Sequence, residues 1–177
     1  MNKNRRTLWA GLVLTIAVTL AYASAAPAAS SPNQSNATQA FEKLKGLVGQ
    51  WEATTEQGKA SVTYELIANG TSLLERENMP NHGEMVTLYH LAGAHLVLTH
   101  YCEAGNQPSM QAEPFDPSSN EIHFNFVGAT NLASANAGHM HQVLLKFNSS
   151  DELTSDWTWR ENGKPGFTAH LQYHRVR

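Results

Sequence analysis

One cysteine, Cys102, occurs in 177 residues, so no intrachain disulfide is possible and stability has to come from packing and sheet hydrogen bonds. An unpaired cysteine usually behaves as a small buried hydrophobe, and Cys102 is read that way. Charge is also sparse, at 15% Asp, Glu, Lys and Arg with a formal net charge of −3. That balance leaves no electrostatic footprint for nucleic acid or an anionic membrane surface. The signatures of common chemistries are missing too. There is no Cys-x-x-Cys, no His-Glu-x-x-His, no Gly-x-Ser-x-Gly elbow and no glycine loop for phosphate.

Residues 1–26 read as a signal peptide. Lys3, Arg5 and Arg6 precede an uncharged apolar stretch from Leu8 to Tyr22, followed by the small residues Ala23-Ser24-Ala25, with cleavage after Ala25. The stretch is shorter than the ~20 residues of a spanning helix. Its removal takes the net charge from −3 to −6 and leaves no transmembrane segment. Residues 27–39, small and polar, read as a disordered linker. Residues 40–177 are near the usual ~100–150 residues of one domain.

Ala40 to Val48 has Phe41, Leu44, Leu47 and Val48 at helical spacing, with Thr38 as a cap and Gly49 as the stop. The period then changes to two. Ten strands are expected, at 50–56, 59–68, 71–78, 84–91, 95–103, 108–115, 120–128, 139–147, 152–160 and 166–175, separated by turn formers. Asn69-Gly70 signals a tight type I′ hairpin. Ala129 to Gly138 is the one long connection, read as an ordinary loop or a flap over a pocket. Consecutive short strands without a second helix predict an all-β, single antiparallel up-and-down barrel with a short N-terminal helix. A ten-stranded barrel has room for a ligand. A β-sandwich is the alternative.

The chain is rich in histidine, with nine. His139-Met140-His141 places two imidazoles on one face of a strand, and parity puts them with Val143, Leu145 and Phe147 on the apolar side. Turning the fourth and fifth strands around Gly93-Ala94 aligns Met85, Thr87, Tyr89 and Leu91 with Leu96, Leu98, His100 and Cys102. His100, His139 and His141 are thus expected to converge in the lumen near Tyr89, while His123 points outward. His82, His95, His170 and His174 read as turn or outer-face residues. Glu75-Arg76-Glu77 reads as a solvated charge run.

Certain residues carry a resemblance. Leu47-Val48-Gly49-Gln50-Trp51 resembles the Leu-x-Gly-x-Trp opening of calycin barrels, the group of lipocalins, fatty-acid-binding proteins and nitrobindin-like proteins. Met85 to Leu91, Leu96 to Cys102, Gly105-Asn106-Gln107-Pro108, His139-Met140-His141 and Trp157 are similar to exported bacterial lipocalin-like proteins of the DUF1579 type. The resemblance covers about residues 40–175. It implies a calycin barrel in a periplasmic or secreted setting and brings no ligand with it. The glycine-rich run that follows the opening motif in nitrobindin-like haem barrels is replaced here by Glu52-Ala53-Thr54-Thr55-Glu56. The bacterial resemblance makes the glycosylation sequons at Asn36, Asn69 and Asn148 chance matches.

These residues admit three functions. The first is a carrier for a small hydrophobic or amphipathic molecule, bound by His100, His139, His141, Tyr89, Thr87, Trp51 and Trp157, with tryptophans stacking on a flat ligand. In the second, His100, His139 and His141 coordinate a metal such as zinc, or haem. The third is a barrel enzyme using histidine as general acid or base, although Asp116, Glu121, Asp151, Glu152 and Asp156 supply no evident histidine partner. The carrier is the leading reading. Oligomeric state and cofactor are not legible.

Overall fold

The computed structural model describes residues 32–177, with side chains from Asn36 onward. The expected signal peptide and residues 27–31 lie outside the described residues. A helix, α1 (Pro32–Lys45), precedes ten strands: β1 (Gly49–Thr55), β2 (Gly58–Ile67), β3 (Ser72–Asn78), β4 (Met85–Ala92), β5 (His95–Tyr101), β6 (Gln107–Ala112), β7 (Glu121–Thr130), β8 (His139–Phe147), β9 (Glu152–Glu161) and β10 (Lys164–Arg175). Each strand pairs antiparallel with its sequence neighbour, and β1 pairs with β10 to close the barrel. No helix among the described residues is long and apolar enough to cross a membrane.

α1 begins earlier than its apolar spacing suggests. Thr38 therefore lies inside the helix rather than capping it, and 32–39, expected as part of the linker, is helical. Ala37, Ala40, Phe41 and Leu44 form one buried stripe at the i, i+3, i+4, i+7 spacing. Gly46 and Leu47 close the last turn by bonding to the carbonyls of Lys43 and Leu44. The helix packs on β4 and β5, at the barrel end that also carries the start of β1 and the β4–β5 turn.

Strand positions agree with expectation to within three residues at either end, and the local chemistry of two turns matters. Gly93-Ala94 forms the expected tight connection, with Ala92 opposite His95. The β2–β3 turn is longer than the expected two residues. Ile67 pairs with Ser72, and Ala68, Asn69 and Gly70 all take positive φ. The Thr71 amide and hydroxyl both donate to the Ala68 carbonyl, closing this wider turn.

An up-and-down meander sends alternate connections to opposite ends. The α1 end is packed shut by Phe41, Leu44, Leu47, Trp51 and Phe147, all in the apolar core. Burying such side chains stabilises by roughly 1.5–3 kcal/mol each. The far end carries the β1–β2, β3–β4, β5–β6, β7–β8 and β9–β10 connections, and there the interior opens.

Candidate functional site

Strand register builds a polar row across the lumen. Tyr64 on β2 lies opposite Glu75 on β3, Glu75 opposite Thr87 on β4, and Thr87 opposite His100 on β5. All four are buried, Glu75 at 3% exposure and His100 at 2%. Glu77, two residues along and on the same inner face, is 7% exposed. Glu75 and Glu77 are therefore lumen residues. Their expected place in a solvated charge run is corrected, because the β2–β3 pairing puts them on the face of buried Tyr64 and Val62. Only Arg76 follows expectation, pairing on the outside with Glu84.

The bonds along this row are directional. Tyr89 donates to Glu75 Oε2 at 2.6 Å, Thr87 donates to Glu75 Oε1 at 3.2 Å, and Tyr64 donates to the same carboxylate. Tyr173 donates to Glu77 Oε1 at 2.7 Å. Thr87 has one hydroxyl hydrogen. Once that proton is given to Glu75, Thr87 Oγ1 can only accept from His100, 3.0 Å from Nδ1. His100 then carries its proton on Nδ1 and presents a lone pair on Nε2. That Nε2 is buried and has no hydrogen-bond partner among the described residues.

Burial sets the protonation of the row. Desolvation lowers the His100 pKa to about 4, which keeps the ring neutral. Desolvation, then repulsion from Glu77, raises Glu75 to about 7, against the pull of its tyrosine and threonine donors. Glu77 is raised by burial too, with Tyr173 and His82 opposing. Among the described residues no lysine or arginine reaches this row.

Above the row is a cavity of about 410 Å³, open at the far end of the barrel. Glu77, His100, Cys102, Met79, Met85, Met140, Trp157, Trp159, Phe167, Ala169 and Leu171 line it, with His82, Glu103 and Ala104 at the rim. The Trp157 ring lies 4.7 Å from the His100 ring. Trp159 stacks on Phe167 and is seated between two glycines. A Cβ at Gly138 would fall 2.1 Å from its Cζ2, and one at Gly166 3.1 Å from its Cδ1. A second hollow, between α1 and the β5–β6 edge, is only about 100 Å³.

Of the residues singled out in the sequence, Thr87, Tyr89, His100 and Trp157 are brought together, at the cavity or in the row beneath it. Trp51 is not. It is buried toward the α1 end, donating from Nε1 to the Leu47 carbonyl at 2.7 Å, with the Arg175 guanidinium 4.2 Å from its ring. Cys102 is half-buried at the cavity wall.

His139 and His141 form a separate cluster near the open end. His139 pairs with Arg160 and Met140 with Trp159, but Gln142 pairs with Thr158. That extra residue breaks the alternation on which the inward placement of both histidines rested. Met140, not the histidines, lines the cavity. His139 Nδ1 lies 2.8 Å from the Ala137 carbonyl and can only donate to it. His139 Nε2 is then an acceptor for His141 Nδ1 at 3.1 Å, and His141 Nε2 accepts from Arg160 at 3.3 Å. Phe126 lies against both rings. All four ring nitrogens are engaged within the protein. Among the described residues, no three His, Cys, Asp or Glu side chains gather to hold a metal ion, so His100, His139 and His141 do not form one ligand set.

Sequence reasoning missed Glu75, Glu77, Tyr64 and Tyr173. It also missed the histidine–carboxylate contacts His82–Glu103, His123–Glu121 and His170–Asp156, all at the surface. The available signal for the buried pair was the alternation Leu73, Glu75, Glu77 against Leu74 and Arg76, read with the register of the neighbouring tyrosine strand. No family model and no curated protein matches this chain.

Proposed function

We propose that this barrel binds a small, largely apolar molecule in the open-end cavity and orients it through His100. The observation that carries the reading is His100, a wall residue of a mostly apolar cavity whose buried Nε2 has no partner among the described residues. An unsatisfied buried acceptor costs about 1–3 kcal/mol, and a ligand donor at that point removes the penalty. The volume lies within the ~300–1,000 Å³ of small-molecule pockets, and a few polar groups among aromatic and thioether side chains match their usual lining. Export and membership of the calycin barrels, of the bacterial lipocalin-like kind, belong to the same proposal. They rest on residues 1–26 and on the motifs from Leu47 to Trp157.

The His100–Thr87–Glu75 relay also has the shape of a general-base arrangement. At a pKa of about 4, however, His100 is a weak base near neutral pH, which favours binding over proton abstraction. Extraction of the purified mature protein followed by mass spectrometry identifies what it carries. Titration with an apolar fluorophore then compares the native protein with Ala169→Trp, which fills the cavity. Binding is expected in the native protein and lost in the folded variant. Equal binding in both, or none in either, removes the proposal.

A further inference from the structure

We infer that the cavity takes an amine: an apolar body carrying one protonated nitrogen, seated between Glu77 and His100. This deepens the binding reading above and rests on it. The carboxyl and imidazole on the cavity wall both call for a donor. Glu77 lines it with a carboxyl that accepts from Tyr173, and His100 lines it with an unpartnered Nε2 lone pair fixed by the Thr87–Glu75 relay. A ligand that satisfies both has to be a hydrogen-bond donor. His100 is a second observation beside Glu77, at 2% exposure and with a ring nitrogen that has no partner among the described residues.

Charge points the same way. Glu75 and Glu77 are buried two residues apart on one strand, and their bonded partners are hydroxyls rather than cations. Arg76 between them points out to Glu84. His82, at the rim, is held by Glu103. Burying carboxylates without a cation is costly, and an ammonium group delivered to Glu77 offsets that cost. The apolar walls suit the same ligand, because Trp157, Trp159 and Phe167 offer ring faces to a desolvated cation and its alkyl neighbours. An anionic ligand would face Glu77 with no compensating donor. A neutral alcohol would use His100 and leave Glu77 uncompensated.

Three ligands of one shape separate these cases: 3-phenylpropylammonium, 3-phenylpropanol and 3-phenylpropanoate, titrated by calorimetry into the mature protein at pH 7.5. The ammonium compound is expected to bind at least tenfold more tightly than the alcohol and the carboxylate to bind most weakly. Glu77→Gln keeps an acceptor for Tyr173 and removes the charge, and removing a buried charge is commonly neutral or favourable for folding. This variant is expected to lose the ammonium preference while still binding the alcohol. Equal affinity for ammonium and alcohol in the native protein, or an ammonium preference that survives in Glu77→Gln, overturns the amine assignment and leaves the binding proposal standing. Failure of all three ligands, together with an Ala169→Trp variant indistinguishable from native toward the fluorophore, overturns both.

Discussion

At the residue scale, the polar row ties stability to pH through two opposed slopes. His100 has a folded pKa near 4 against an ordinary value near 6.5. Its contribution is intact above about pH 6.5 and is lost as pH falls toward 4, because the unfolded chain takes up the proton first. At the limit this difference is worth about 3 kcal/mol. The carboxyls run the other way. Glu75 is raised to about 7, so its contribution is favourable below the ordinary carboxylate range and is lost as pH rises through about 7, and Glu77, raised by burial as well, acts with the same sign. Between pH 4.5 and 6.5 the two effects partly cancel. Relative to native protein, the Glu75→Gln/Glu77→Gln double variant should lose stability on acidification across this window, and His100→Gln should gain it. Urea midpoints at pH 5, 6, 7 and 8 measure the difference. Variants whose profiles run parallel to the native one would show that the row does not titrate.

At the scale of elements, the connection between β7 and β8 (residues 131–138) is fastened at the mouth of the barrel. The Asn162 amide donates to the Asn136 carbonyl, Asn106 Nδ2 to Gly138, and His139 Nδ1 to Ala137. The last of these continues into the His139–His141 chain that ends at Arg160. His139→Ala and Asn106→Ala should each speed amide exchange in 131–138 while β2 to β5 stay protected, as read by hydrogen–deuterium exchange with mass spectrometry. Unchanged exchange in the loop would mean these side chains do not hold it. The same strand marks how far periodicity carries. Val143, Leu145 and Phe147 face the core as their alternation implies, whereas the extra residue between Met140 and Gln142 leaves no mark in the sequence, because no glycine or proline stands there to signal it. The β4–β5 hairpin was legible through Gly93-Ala94, and with it the inward Thr87, Tyr89 and His100. The buried glutamates were not. An acidic side chain alternating with leucine is ambiguous until the strands on both sides fix the register, and the β2–β3 turn proved longer than its Asn-Gly pair suggested.

At the scale of the whole molecule, ten strands close on the shortest of their seams. β1 and β10 share only the pairs Trp51–Arg175 and Glu52–His174, whereas β1 and β2 run paired from Gly49–Tyr64 to Thr55–Gly58. Arg175 makes up the difference. Its guanidinium donates to the Val48 and Gly46 carbonyls at 2.7 Å and to Ser150, pairs with Asp151, and covers the Trp51 ring. One side chain thus joins the end of α1, the start of β1, the β8–β9 turn and the last strand. Arg175→Ala should lower stability by about 2 kcal/mol or more, since hydrogen bonds to a charged group are worth about 1.5–3 kcal/mol each and are not additive. Arg175→Lys should recover little of that loss, because a single ammonium cannot reproduce a planar fork that reaches two carbonyls while lying on an indole. Urea unfolding followed through tryptophan fluorescence reads both variants. A lysine variant as stable as native would show that a point charge is enough to hold the seam, and the closure would then belong to the strand pairs and the helix alone.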